Sequence, residues 1–359
     1  MKNSARCLSL LSHILLGSDR NNSSIMPAVP EASSFGLDDF GDLWNLANSH
    51  HVIMRAFPSL RKMMEEQGNE KLGWIDRAIN KEQARIDHAV SFLSPICEAL
   101  EEAGDVVVIK SLDHWPDLGN DLDLYTNADE AHVVEIMRER FNAEVDERSW
   151  GDRLANKWNF IVPGLPELVE VHVARLGQTG EQIAITGSLI GRAGTANFGG
   201  YDFRVPAPED RMIISTLQRM YRHFYVRLCD VVDNAKLMDS DGVDYVYLRS
   251  LAKSAGLWDG LATYLVIVSE YVESYRGEGL ALPALVTKDA HFGNELVYFK
   301  RNFLRIPIFP HSAKLYASEW KRLLMNGEFA NTLRLSLLPG LATAAALEMK
   351  FTGSDKGIW

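Results

Sequence analysis

Two aspartates separated by one residue begin a short, otherwise apolar segment. Asp121 and Asp123 alternate with Leu122 and Leu124, and residues two apart on a β-strand point to the same face. Both carboxylates should therefore project together, with the leucines on the buried face. Two fixed acids repel each other unless a cation lies between them, and hard oxygen ligands suit Mg²⁺. A polar edge strand whose acids face water is the alternative, because so short a motif is common.

A third acid follows on a second extended segment. In the stretch 168–176, Glu170 and His172 alternate with valines, which is typical of a half-buried strand. If the two strands are neighbours, Glu170 joins the two aspartates. Three carboxylates on two strands can hold two metal ions, the arrangement used for phosphoryl and nucleotidyl transfer.

The stretch 110–125 resembles the signature of nucleotidyltransferases of the DNA polymerase beta superfamily. That signature has a Gly-Ser turn, a spacer, an Asp-x-Asp strand and one more acid on a later strand, and Ser111 stands at its serine. The chain most resembles an uncharacterised bacterial nucleotidyltransferase-like family, whose Leu-Lys-Gly turn corresponds to Ile109, Lys110 and Ser111. The acid-x-His strand of that family corresponds to the stretch 170–172.

This resemblance implies an enzyme that moves a nucleoside monophosphate from a nucleoside triphosphate, with ATP favoured, to an unidentified acceptor, while pyrophosphate leaves. Two Mg²⁺ ions would be held by three carboxylates, which are those of Asp121, Asp123 and Glu170. The residues implied in nucleotide binding are Lys110, Ser111, His172 and Arg227. Backbone amides of the turn would contact the terminal phosphates, and Lys110 would add a point charge.

Two departures from the family pattern keep other functions open. Either Lys110 or Ser111 replaces a glycine of the turn, and Asn120 is inserted between Gly119 and Asp121. The alternative function is therefore a nucleotide-binding or regulatory module of the same fold that is catalytically impaired. A third hypothesis is a metal-binding or scaffold protein whose acids are incidental.

The order of the predicted elements indicates an α+β fold, in which a small mixed sheet of the nucleotidyltransferase type carries helices on one face. A helical N-terminal region is predicted over 1–104, the catalytic core over 105–206 and a helical C-terminal region over 207–359. The glycine-rich stretch 178–200 shows little periodicity and predicts an ordinary surface connection or a flexible flap over a nucleotide.

Apolar residues recur at spacings of three and four over the stretch 208–238, which predicts one long helix. Its other side is basic and includes Arg222 and Arg227. Arg227 could pair with Asp230 one turn further on, so a structural role is the simpler interpretation. A triphosphate-facing role for Arg222 or Arg227 is the alternative.

The composition of the 359 residues, with 47% hydrophobic and 24% charged, is ordinary for a globular chain. A net charge of -11 argues against a long nucleic-acid duplex as partner, because phosphate binding needs a basic face.

Apolar runs stay below the roughly 18 residues of a membrane span, so no membrane partner is predicted. The three cysteines, Cys7, Cys97 and Cys229, lie far apart in the sequence. This spacing predicts that they are reduced packing residues of a cytoplasmic protein. For the N-terminal residues of the sequence, an amphipathic first helix is favoured over a secretion signal.

Overall fold

The computed structural model describes residues 2–17, 37–66, 72–177, 181–240 and 242–352. Its helices are α1 (Lys2–Leu16), α2 (Leu37–Ser49), α3 (Ile53–Glu66), α4 (Leu72–Glu101), α5 (Glu130–Phe141), α6 (Trp150–Leu154), α7 (Glu181–Arg192), α8 (Pro208–Thr216), α9 (Leu228–Asp239), α10 (Tyr245–Ala255), α11 (Trp258–Arg276), α12 (Ala284–Thr287), α13 (Ala313–Met325) and α14 (Phe329–Thr352). Its strands are β1 (Val106–Val108), β2 (Asp121–Thr126), β3 (Glu144–Val145), β4 (Lys157–Ile161), β5 (Leu168–Val173), β6 (Gly194–Phe198), β7 (Tyr201–Val205), β8 (Tyr225–Val226), β9 (Tyr298–Lys300) and β10 (Phe303–Arg305).

A five-stranded mixed sheet in the order β1-β2-β5-β4-β3 forms the centre of the fold. The central pair, β2 and β5, is parallel, and every other pair in this sheet is antiparallel. A hairpin of β6 and β7 and a three-stranded sheet of β8, β10 and β9 accompany it. The chain is therefore α+β with a small mixed sheet, as predicted.

One face of the central sheet is apolar and lies under two helices. Leu122 and Leu124 of β2 are fully buried and belong to a core cluster with Val169 and Val171 of β5 and with residues of α4 and α5. The predicted burial of the two leucines is thus confirmed. Because side chains alternate along a strand, the acids of β2 and β5 are left on the opposite face.

The acid-bearing face is covered at one end by a second core. Tyr125, two residues beyond Asp123, belongs to a cluster that also contains Ile185 and Leu189 of α7. The same cluster joins side chains of α1, α2 and α3 to side chains of α8, α9, α11 and α13. The N-terminal and C-terminal helices therefore pack into one shared core around this end of the sheet.

The glycine-rich stretch 178–200 forms a helix and a strand over its described part, which its weak periodicity did not predict. Residues 181–192 form α7 and residues 194–198 form β6, while residues 178–180 lie outside the described ranges. Helix α7 forms because Ile185 and Leu189, one turn apart, are both fully buried. A Cβ at Gly187 or Gly191 would meet no heavy atom within 4 Å, so these glycines lower helix propensity without serving a close contact.

The predicted long helix over 208–238 is also wrong, because it is interrupted. Helix α8 continues as a π-helical segment over 217–223, and Phe224 then adopts a left-handed conformation with φ of 54°. The short strand β8 follows and pairs with β10 before α9 begins. The apolar spacing persists across the break, since Met220 of the π-helical segment and Leu228 of α9 are both buried, so periodicity alone could not reveal the break.

Several smaller predictions are confirmed. Helix α1 forms as expected and buries Cys7. All three cysteines are buried and unbridged. Among the described helices, none has both the length and the apolar character that crossing a membrane requires.

Candidate functional site

A charged cleft of about 210 Å³ lies on the acid-bearing face of the central sheet. It is bounded by the turn after β1, by β2, β4 and β5, and by the π-helical segment and β8. Seven residues were assigned to metal or nucleotide binding by the family resemblance, and six of them line the cleft, namely Lys110, Ser111, Asp121, Asp123, Glu170 and Arg227. The seventh, His172, lies immediately beside it, with Nε2 3.5 Å from Oδ1 of Asp123.

The parallel pairing of β2 and β5 sets the acids side by side. Asp123 is the register partner of Glu170, and neighbouring strands lie about 4.8 Å apart. The ligand atoms of Asp123, Glu170 and His172 lie within 4.8 Å of one another. Asp121 lines the same cleft from the start of β2 but is not one of these three.

Two lysines already face two of the carboxylates. Nζ of Lys110 forms an ion pair with Asp123 and lies 3.4 Å from Nε2 of His172. Nζ of Lys157 lies 2.9 Å from Oε1 of Glu170 and 3.0 Å from Oδ1 of Asp152. Burial alone would lower the pKa of Lys157, but the two nearby acids raise it above its usual value, so this lysine remains charged.

Burial and neighbouring charges shift the pKa values of two further groups at the cleft. Burial, and then repulsion from Glu170 and Asp123, raises the pKa of Asp121 to about 6. Burial and the positive charges of Lys110 and Lys157 lower the pKa of His172 well below its usual value. His172 is therefore a neutral imidazole, and its buried Nδ1 has no hydrogen-bond partner within the described residues.

The turn after β1 has an unusual backbone that aims Lys110 at the acids. Lys110 adopts φ of 62° and ψ of -57°, and the N–H of Ser111 donates to the carbonyl of Ile109 at 2.6 Å. This is a γ-turn of the rare, strained kind, in a region that favours glycine. A lysine thus adopts a backbone conformation that glycine reaches more easily.

The hydroxyl of Ser111 joins the two ends of this turn region. It donates to the carbonyl of Asp121 at 3.0 Å and accepts the N–H of Asp123 at 2.7 Å. The side chain is only 1% exposed. Ser111 therefore fixes the start of β2, and its hydroxyl proton is already engaged within the protein.

The wall opposite the acids is basic. Nε of Arg219 pairs with Oδ2 of Asp230 at 2.7 Å, and both side chains are buried. Nη1 of Arg227 donates to Nε2 of His51 at 2.8 Å, and burial, followed by the charge of Arg227, lowers the pKa of His51. The expected ion pair between Arg227 and Asp230 is wrong, because only the main-chain N–H of Arg227 reaches that carboxylate.

Arg222 projects from the π-helical segment and also lines the cleft. No hydrogen bond or ion pair joins it to any part of the chain that the structure describes. Within the described ranges, the guanidinium of Arg227 likewise has no carboxylate within 4.0 Å. The cleft therefore offers two guanidinium groups whose charge is not neutralised by an acid, which suits an anionic ligand.

Sequence reasoning missed several residues of the cleft. Lys157 is the first residue of β4, and its alternation with Asn159 is the local signal that could have revealed it. His51 and His223 also line the cleft. Their positions depend on long-range packing, which leaves no pattern in the local sequence.

The donor set fits a divalent cation. Two adjacent carboxylates and a third acid nearby offer the oxygen ligands that Mg²⁺ and Mn²⁺ prefer in proteins, and the neutral imidazole beside them is a ligand of softer divalent metals. Repulsion from Glu170 and Asp123 adds to burial in raising the pKa of Asp121, and a bound cation would relieve that repulsion. Lys110 and Lys157 lie at positions where they compete with such a cation for Asp123 and Glu170.

Comparison with protein-family models gives no match, and comparisons with curated proteins and with solved structures give no significant match. What the chain does must therefore be inferred from the cleft itself and from the resemblance of the stretch 110–125.

Proposed function

We propose that this chain is a metal-dependent nucleotidyltransferase, which moves a nucleoside monophosphate from a nucleoside triphosphate to an acceptor. The observation that carries this proposal is the pairing of Asp123 with Glu170 across β2 and β5, opposite two guanidinium groups that no acid of the described residues neutralises. Carboxylates that bind metal on one side and arginines on the other are what a metal-bound polyphosphate requires.

Each side of the cleft has its own role in this proposal. Asp121, Asp123 and Glu170 hold Mg²⁺, with two ions expected, and the metal would neutralise charge on the attacking and leaving oxygens. Arg222 and Arg227 bind the outer phosphates, because guanidinium groups match phosphate oxygens in geometry.

Lys110 and Ser111 have separate tasks. Lys110 has a flexible side chain with rotatable donors, so its ammonium can turn from Asp123 to a phosphate oxygen. Ser111 keeps Asp123 in place through its two hydrogen bonds. His172 is neutral and lies beside the acids, where it contacts the substrate.

ATP is the favoured nucleotide in this proposal. The buried cysteines, which form no disulfide bridges, fit a reducing, cytoplasmic compartment.

Label transfer tests the proposal. The chain is incubated with Mg²⁺, ATP labelled at the α-phosphate and a cell extract that supplies acceptors. The proposal predicts a labelled product that is lost in Asp123→Asn and retained in Asp87→Asn, an exposed aspartate of α4. Equal labelling by the two variants would refute the role of Asp123.

A specific observation favours a second candidate, a nucleotide-binding module without turnover. Lys110 and Lys157 hold ammonium groups against Asp123 and Glu170, so the cleft can neutralise both acids without a metal. Such a module would bind ATP equally well with Mg²⁺ and with a chelator, and it would transfer no label. Calorimetric titration under both conditions separates the two candidates.

A further inference from the structure

A second cavity, of about 300 Å³, adjoins the charged cleft and differs from it in character. It lies between the end of β5, the π-helical segment and the C-terminal helices α13 and α14. Most of its wall is apolar, with contributions from Leu176, Ile214, Leu217, Leu335 and Leu338. Its volume is within the range of small-molecule sites, which bury most of the ligand surface in concave apolar walls.

The two cavities meet at a shared polar boundary. Lys110, Gln218 and Arg222 line both of them. His172 lines the apolar cavity, while its Nε2 lies 3.5 Å from Asp123 in the charged cleft. A molecule that occupies the apolar cavity would therefore present its nearest end to the proposed site of transfer.

The character of the walls discriminates between possible occupants. A triphosphate belongs with the charged cleft, because its negative charge would be poorly solvated among leucine and isoleucine side chains. A sugar, a peptide backbone or an RNA end would leave many hydrogen-bonding groups unpaired in an apolar enclosure. A compact apolar body with one polar end fits both the wall and the boundary.

We propose that this cavity binds the acceptor, and that the acceptor is a small molecule with an aromatic or alicyclic body and one hydroxyl group. This inference rests on the proposed nucleotidyltransferase function and names the substrate class of the same site. The apolar body occupies the cavity, and the hydroxyl lies at the end bounded by Lys110 and His172.

The reaction then balances without any further reactant. The hydroxyl oxygen forms a bond to the α-phosphorus of the nucleotide, and the bond from that phosphorus to the bridging oxygen breaks. Pyrophosphate leaves with the electron pair, and the hydroxyl proton is released to water. The product is a phosphodiester between the acceptor and the nucleoside.

Binding in the cavity can be measured without nucleotide. Anilinonaphthalene sulfonate, a fluorescent dye with an aromatic body and one anionic end, serves as the probe. The inference predicts one bound dye per chain, with affinity weakened at least about tenfold in Ala313→Trp, which fills the cavity from α13. Ala317→Trp lies one turn further along the same helix, outside the cavity, and should bind the dye as the unaltered chain does.

A second filling variant protects the test against misfolding. Leu338→Trp enters the same cavity from α14, and all variants are compared by circular dichroism and thermal midpoint. Unweakened dye binding in both filling variants, when they are folded, overturns the inference.

Acceptor chemistry supplies the decisive part of the test. Labelled ATP is offered with Mg²⁺ and either aromatic and alicyclic alcohols or a matched set of sugars, peptides and RNA ends. Transfer to the apolar alcohols, lost in the folded filling variants, is the expected result. Transfer only to the polar set overturns the acceptor class and leaves the nucleotidyltransferase function intact. Dye binding with no transfer to any acceptor overturns that function and the acceptor assignment together, and leaves the cavity as a binding site.

Discussion

Asp123 and Glu170 are register partners on parallel strands, and each carboxylate is contacted by a different lysine, Lys110 or Lys157. The two ammonium groups balance these two acids, whereas neither lysine forms an ion pair with Asp121 within the described residues. Any divalent cation that binds between Asp123 and Glu170 must therefore compete with at least one lysine. This competition makes the lysines as informative as the acids for testing the site.

Removing the ammonium group of Lys110 should strengthen metal binding. In Lys110→Met, Asp123 loses its cationic partner, and we expect affinity for Mn²⁺ alone to rise by at least about tenfold, since a nearby like charge no longer opposes the metal. Titration followed by electron paramagnetic resonance of Mn²⁺ measures this. Lys236→Met removes an exposed lysine of α9 and should leave the affinity unchanged. Equal affinities in the two variants would show that no metal binds at Asp123.

Ser111→Ala should destabilise the fold. The substitution leaves the buried N–H of Asp123 without its acceptor, a loss that costs about 1–3 kcal/mol. Urea unfolding measures the change in the free energy of unfolding. The matched control is Ser91→Ala, because the hydroxyl of Ser91 donates to the carbonyl of His88 on the exposed surface of α4. A destabilisation no larger than that of the control would contradict the bridging role of Ser111.

Substitution of two arginines of the π-helical segment should affect different properties, ATP affinity in one case and stability in the other. Arg222→Ala should weaken binding of Mg²⁺-ATP about tenfold, the value of one charge-assisted hydrogen bond to phosphate, with little change in stability. Arg219→Ala should destabilise the fold by about 3–5 kcal/mol, because the buried carboxylate of Asp230 would lose its ion-pair partner. Calorimetry with ATP and urea unfolding measure the two effects. Unchanged ATP affinity in Arg222→Ala would remove Arg222 from the nucleotide site.

Acid should destabilise the fold through His50. Burial lowers the pKa of His50 from 6.5 to about 4, while Nε2 lies 2.6 Å from the carbonyl of Asn302 and Nδ1 accepts the N–H of Leu228. The unfolded chain binds this proton first, so the stability is present above about pH 6.5 and is lost as the pH falls toward 4. This group should account for about 2 kcal/mol between about pH 7 and pH 5.

Urea unfolding at both pH values checks this effect. His50→Asn should lose correspondingly less stability on acidification than the unaltered chain does. His132→Asn, an exposed position of α5, should behave as the unaltered chain. An identical pH dependence in His50→Asn would show that another group is responsible.

The acids were predictable because strand periodicity is a local property. Alternation alone placed Leu122 and Leu124 on the buried face of β2 and Asp123 on the other, as the structure has them. The pairing of Asp123 with Glu170 was an expectation from the family resemblance, since no local signal specifies which strands are neighbours. The structure provides that pairing.

The rest of the cleft depends on contacts between distant segments. Phe224 ends the π-helical segment because β8 pairs with β10, about 80 residues away in sequence, and this break brings Arg222 to the cleft. The apolar cavity needs α13 and α14, in which no chemical motif is recognisable. Tertiary pairing overrides local propensity at both places.

Diffraction from crystals grown with Mn²⁺ and a non-hydrolysable ATP analogue tests the central claim most directly, because the anomalous signal of manganese locates the metal independently of the protein. The account predicts a metal peak in contact with the carboxylates of Asp123 and Glu170, Lys110 turned away from Asp123, and the triphosphate against Arg222. A nucleotide bound elsewhere, or both lysine ion pairs intact with no metal between the acids, would contradict it.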